Sequence, residues 1–265
     1  MNDSVYEDAR KFLERVYINP PIPTKELPFV TLTFAQSLDG KIALKGQQLL
    51  LSGKESMAMT HRLRLLHDGI LVGIGTALID DPQLNARYVS PTDHLCNNQP
   101  QPIVLDPRLE FPLSAKLLRN FNNGTGKQPW LICWTKNDQR KLALEKAGAL
   151  VITIEAPDYN VNGYQTCQRP SISSVLRHIK AAGIDRLMVE GGSKIIQSFL
   201  QSGHIDQLIV TTAPTLVGPR GVSATGDIVP VSLSLPALHS NIIYQQFGQD
   251  MVLGATLQKK KRTKE

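Results

Sequence analysis

The sequence predicts an α/β fold: a mainly parallel mixed sheet, flanked by helices, with an antiparallel hairpin at its C-terminal end. Three observations predict it. Apolar runs of strand length alternate with stretches of helical period along most of the 265 residues. Most of those runs are apolar throughout, as strands are when helices cover both faces of a sheet. The last two runs lie close together in sequence, a spacing that suits an antiparallel pair and is too short for a parallel crossover. No composition shift divides the middle of the chain, and no solenoid repeat is present.

The elements follow in order. Residues 4–17 read as a helix, with Phe12, Leu13 and Val16 near one face. The run NPPIPTKELP (19–28) ends it, since successive prolines cannot continue a helix. Residues 1–28 are therefore expected to be a helical arm and Pro-rich linker, 29–258 the main domain, and 259–265 a disordered basic tail. A strand is expected at 29–35, then a turn at QSLDGK. Ser52-Gly53-Lys54-Glu55 has the capping-box pattern and opens a helix that Asp68-Gly69 ends. A strand at 70–73 runs into Gly73-Ile74-Gly75. Residues 90–101 have loop composition. Strands are expected at 102–106, 129–134 and 149–154, with a helix at 137–147. Residues 156–170 read as loop. A helix at 172–182, a strand at 186–190, a helix at 194–202 and a strand at 206–212 follow. Gly203 stands where it would stop the last helix. Strands at 241–247 and 250–258 form the hairpin.

The net charge is +6, and the tail KKKRTKE carries five cations and one anion, or +4. That leaves +2 for the remainder, too little for a nucleic-acid surface. The tail reads as a solvated end, with a nuclear-localisation signal as the alternative. No apolar stretch reaches the ~18 to 20 residues a membrane helix needs. The polar, acidic start argues against a secretory signal. Cys96, Cys133 and Cys167 form no C-x-x-C pair, which argues against a disulfide framework or structural zinc. A cytoplasmic protein is expected.

The chemistry concentrates in a few stretches. In LMVEGGSKIIQSFLQSG (187–203), a buried strand ends in Glu190 and a helix opens after Gly191-Gly192. Glycines at a helix N-terminus let a phosphate reach backbone N–H groups, where the dipole favours an anion. A tight strand-to-helix turn is an equally simple account of the two glycines. Glu190 stands where ligands bind in open α/β sheets, at the carboxyl end of a strand. It can accept from a sugar hydroxyl or a pyrimidine amine, or form a surface salt bridge. In TFAQSLDGKIA (33–43), Ser37, Asp39 and Lys41 follow a strand end, on what also reads as a solvated turn. In GILVGIGTALIDDP (69–82), the third glycine of a dinucleotide fingerprint is replaced by Leu78. Beyond it, Arg87 can hold a phosphate bidentately or lie on the surface as an ordinary arginine. His61 and His67 stand six apart and do not share a helix face. H-E-x-x-H, G-x-S-x-G and the P-loop pattern are absent, and no metal site is expected.

Three stretches together, VTLTFAQSLDGKIA, SGKESMAMTHRLRLLHDGILVGIGTALIDDPQLNAR and MVEGGSKIIQSFLQSGHIDQLIVTTAPTLVG, resemble the riboflavin-biosynthesis reductases. The likeness runs over about 29–257 and is to the stand-alone type. The zinc deaminase fused to the bacterial relatives has an H-x-E with P-C-x-x-C signature that is missing here. The resemblance implies a dihydrofolate-reductase-like domain, NADPH as cofactor and a homodimer. It implies reduction of a ribosylamino side chain on a phosphorylated pyrimidine to the ribitylamino form. Thr76, Asp80, Asp106, Ile154 and the turn Gly191, Gly192, Ser193, Lys194 and Ile195 are the implied cofactor contacts. Ser37, Leu84, Arg87 and Glu190 are on the implied substrate side. Asp39, Lys41 and Glu190 are the candidates nearest the reacting sugar, with Lys41 or water as proton donor. Arg108 and Thr135-Lys136 are strand-end candidates for the cofactor's 2′-phosphate. Alternatives are a reductase of the deaminated pyrimidine or of a pterin, and a nucleotide-binding relative without turnover.

Overall fold

The computed structural model describes residues 3–18, 20, 22–47, 49–155, 158–161, 164–167, 169–226 and 238–257. The tail at 259–265 lies outside them. In chain order the elements are α1 (Asp3–Val16), β1 (Phe29–Ser37), β2 (Lys41–Leu44), α2 (Lys54–Arg64), β3 (Gly69–Gly73), α3 (Ile74–Asp80) and β4 (Gln101–Leu105). Then come α4 (Lys116–Asn122), β5 (Trp130–Cys133), α5 (Asp138–Lys146), β6 (Leu150–Thr153), β7 (Asp158–Val161), β8 (Tyr164–Cys167) and α6 (Ile172–Ala181). The last are β9 (Arg186–Glu190), α7 (Ser193–Ser202), β10 (Gln207–Ala213), β11 (Gly221–Ser223), β12 (Leu238–Phe247) and β13 (Asp250–Leu257).

One nine-stranded sheet carries the order β12-β13-β10-β1-β9-β3-β4-β5-β6. The seven strands from β10 to β6 are parallel to one another, and β13, antiparallel to β10, and β12 close the sheet as the expected antiparallel hairpin. The strands are apolar throughout because each residue meets one of two cores. Ile70 and Val72 of β3 pack on the face covered by α1 and α2, and Leu71 packs on the face covered by α6 and α7. Each fully buried side chain of this size contributes about 2 kcal/mol. In α7 the expected stripe is buried at Ile195, Ile196 and Phe199, and Gly203 ends the helix at φ 67°.

Several local readings are corrected. The capping box at Ser52 does not form: Gly53 is the N-cap of α2 and no side chain caps it. Asp250, from the distant hairpin turn, instead accepts from Gly53 N at 2.8 Å and from the Ser56 hydroxyl. The QSLDGK turn is followed by β2, which pairs with β11 in a separate two-stranded sheet. Within 156–170, read as loop, β7 and β8 form an antiparallel pair. The short helices α3 and α4 were not expected as separate elements.

Candidate active site

A cavity of about 980 Å³ opens where the parallel strands end. Its walls come from the carboxyl ends of β1, β3, β4 and β9, the first turns of α3 and α7, and residues 42–47, 49, 51 and 52. Carboxyl strand ends are where open α/β sheets bind ligands. The volume stands at the upper end of the roughly 300–1,000 Å³ found for small-molecule sites, enough for more than one small ligand.

Two glycine turns form one wall. Gly73, the N-cap of α3, and Gly191 both press on Ile195. A Cβ on Gly73 would lie 2.7 Å from Ile195 Cγ1, and one on Gly191 would lie 2.7 Å from Ile195 Cβ. Internal packing therefore requires these two glycines. Gly75 differs: an added Cβ there meets no atom within 4 Å, so the backbone is left open to the cavity. Gly192 caps α7 without a side-chain partner, which leaves first-turn N–H groups for an anion. Thr76 Oγ1 would lie 3.2 Å from a Cβ on Gly192, so the two turns meet at that point.

Another part of the lining is charged. Arg64, on α2, grips Glu190 with two parallel hydrogen bonds, Nε to Oε1 at 3.0 Å and Nη2 to Oε2 at 2.8 Å. Its Nη1 donates to Asn85 O at 2.8 Å. The pair is half-buried and close to neutral. Arg87 lies beside it and donates to Asn85 Oδ1 at 2.6 Å. Burial, then the nearby Arg64 charge, lower the Arg87 pKa, although Tyr88 and Glu190 act the other way. The Arg87 backbone N–H donates to His61 Nδ1 at 2.8 Å, so that nitrogen is unprotonated. Leu84, 2% exposed, is held at φ 53°, a left-handed conformation that costs a non-glycine residue roughly 1–2 kcal/mol. Such strain collects at functional sites.

Of the candidate site residues singled out in the sequence, Thr76, Asp80, Leu84, Arg87, Arg108, Glu190, and Gly191 through Ile195 line this cavity. Burial pushes the Asp80 carboxyl up. Five others are employed elsewhere. Ser37 donates to Asp39 Oδ1 at 2.6 Å and accepts from Lys41 N at 2.9 Å. Asp39 also accepts from Val217 N at 3.0 Å and Gly218 N at 2.7 Å, so its carboxylate ties two loops together. The Ser37 bond, then those N–H donors, hold its pKa near 2. The Lys41 side chain packs on Gly221. Asp106 is buried and accepts from Glu110 N and Phe111 N, both at 2.9 Å, while Ile154 is a core residue. Arg108 lines the far end and pairs with Glu110 at 3.1 Å, whereas Thr135 and Lys136 are exposed away from it.

Sequence reasoning missed Arg64. The signal was the spacing His61–Arg64, three residues on a helix and so one shared face. Lys116, Trp134, Arg169 and residues 44–47, 49 and 51 also line the cavity without having been singled out. Among the described residues, no three His, Cys, Asp or Glu side chains gather as a metal site, and no helix is long and apolar enough to cross a membrane.

The sequence model of the RibD C-terminal domain matches residues 28–253. The chain is 36% identical over 258 residues to the 2,5-diamino-6-ribosylamino-4(3H)-pyrimidinone 5′-phosphate reductase of Debaryomyces hansenii, covering 94% of this chain and 96% of that one. It is 35% identical to the riboflavin biosynthesis protein RibD of Aquifex aeolicus over 93% of this chain, and spans only 62% of that protein. Among solved structures, the riboflavin biosynthesis reductase Rib7 of Saccharomyces cerevisiae aligns at 27% identity with a TM-score of 0.69, over 95% of this chain and 100% of that one.

Proposed function

This chain belongs to the RibD C-terminal domain family, and on that premise we propose that it is the NADPH-dependent reductase of 2,5-diamino-6-ribosylamino-4(3H)-pyrimidinone 5′-phosphate in riboflavin biosynthesis. The observation that carries the reading is one cavity lined by two kinds of group. Uncapped backbone and an open glycine line part of it, and the Arg64–Glu190 pair beside Arg87 lines another part. The first suits a dinucleotide and the second a phosphorylated sugar.

NADPH would supply the hydride that reduces C1′ of the sugar. The first turn of α7, Thr76 and Asp80 would hold it, with Arg108 near its 2′-phosphate. Arg87 takes the substrate phosphate, because its charge is not neutralised as Arg64's is. Glu190, its carboxylate fixed in orientation by Arg64, accepts from a sugar hydroxyl or a pyrimidine amine. Leu84 lies against the substrate. The chain's main contribution is to align donor and acceptor carbons about 3–3.5 Å apart, an effect worth up to roughly 7–11 kcal/mol. Asp39 and Lys41 lie outside the cavity walls, so the proton is assigned to water. Cytoplasmic placement and a homodimer complete the reading.

The test offers NADPH with the diamino substrate and the deaminated one in parallel, following loss of reduced-nicotinamide absorbance. Turnover of the diamino compound is expected. NADPH binding without oxidation by either substrate would refute the enzyme reading. Light scattering of the full chain should give twice the monomer mass, and a monomer would refute the dimer.

A further inference from the structure

The segment 82–99 carries Leu84 and Arg87 yet contains no helix or strand. Side chains of α2 and α1 hold it instead. Arg64 donates to Asn85 O, and His61 Nδ1 accepts from Arg87 N, each at 2.8 Å. The His61 ring stands edge-on to Tyr88 at 4.7 Å. Farther along, Arg62 Nε lies 2.6 Å from Asp93 Oδ2, and the Tyr6 hydroxyl of α1 donates to that oxygen at 2.6 Å. His61, Arg62, Asp93 and Tyr6 are 2%, 5%, 8% and 5% exposed.

The arrangement is poor as a stabilising device. Arg62 Nε is close to Asp93 without the alignment of a hydrogen bond, and Nη1 has no partner either. A buried pair of this kind contributes little net stability, and its best-attested use is to fix register. Burial alone would push the Asp93 carboxyl up. The Tyr6 hydroxyl, the Leu95 N–H and the Arg62 charge outweigh it. His61 is kept neutral by burial beside Arg64 and Arg87, so its Nδ1 remains an acceptor.

We propose that Tyr6, Asp93, Arg62 and His61 are positioning residues for Arg87, so that the N-terminal helix α1 sets the geometry of the substrate-phosphate site. The inference rests on the role assigned above to Arg87. Tyr6 fixes Asp93, Asp93 and Arg62 fix the far end of the segment on α2, and His61 fixes the backbone at Arg87.

The experiment compares Tyr6→Phe, His61→Leu and His61→Asn with wild type in the full chain, and uses Arg87→Ala as reference. Asn can place an amide oxygen where Nδ1 accepts. The readouts are KM for the diamino substrate, KM for NADPH, Tm, and ribose 5-phosphate affinity by calorimetry, which needs no turnover. Tyr6→Phe and His61→Leu should raise substrate KM and weaken ribose 5-phosphate about tenfold, or ~1.4 kcal/mol. NADPH KM should hold, and His61→Asn should recover most of the loss. If Arg87→Ala impairs phosphate binding while Tyr6→Phe and His61→Leu only lower Tm, the positioning role is overturned and Arg87 keeps its own. If Arg87→Ala changes neither substrate KM nor ribose 5-phosphate affinity, the phosphate reading falls and takes this inference with it.

Discussion

Removing the Glu190 carboxylate would leave the Arg64 guanidinium without its bidentate partner, at a site where that side chain is 12% exposed. The unpaired charge would then compete for substrate groups in the wrong geometry. Glu190→Gln should lower kcat/KM for the pyrimidine substrate on the order of 10- to 100-fold, ~1.4–2.8 kcal/mol. NADPH affinity measured by fluorescence titration should persist. Collapse of cofactor binding instead would place Glu190 on the other side of the site. Glu190 was legible in the sequence because an acidic residue closing an apolar strand, just before Gly-Gly, has few structural uses. Arg87 was legible from its place after the Asp-Asp-Pro turn. Arg64 was hidden inside an ordinary polar helix, where only its partner across 126 residues reveals it. The partners of Asp39 were hidden in the same way. A carboxylate on a turn looks available, yet it accepts hydrogen bonds from a loop near residue 217, far away in sequence.

At the level of elements, α2 is held at its start by a residue from the far end of the chain. Asp250 takes the place of an N-cap side chain, accepting from Gly53 N and Ser56 Oγ. Asp250→Ala should destabilise the protein by about 1–2 kcal/mol, the usual cost of a lost cap. It should also raise amide exchange in the first turn of α2 above that in α7. Uniform exchange across both helices would show that Asp250 does not act as a cap. Long apolar strands and the stripe of α7 were readable because period and burial agree. The β2–β11 pair was not readable, since its four and three residues are half-exposed and joined across some 180 positions. The capping box failed because Ser52 has the right identity and Gly53 occupies the geometric position.

For the whole molecule, two buried histidines tie stability to pH. Desolvation lowers both His61 and His67 from 6.5 to about 3 in the folded state. Between those values the unfolded chain binds the extra protons, so stability rises with pH. The contribution is complete above 6.5 and is lost progressively as pH falls toward 3, at up to ~1.4 kcal/mol per pH unit for each ring. Asp39, lowered from 3.8 to about 2, adds the same sign only below 3.8. Urea midpoints should therefore fall as the pH is taken below 6.5, and a flat profile down to 5 would contradict the buried neutral rings.

The place of β1 in the sheet has a consequence for biosynthesis. It is made early, yet both its neighbours, β9 and β10, begin at Arg186 and Gln207. During translation this apolar strand has no native sheet partner until more than half of the chain has been synthesised. It must wait with both edges open, the condition under which strands seek other chains. Slow synthesis, or a pause before β9, should therefore favour aggregation over folding.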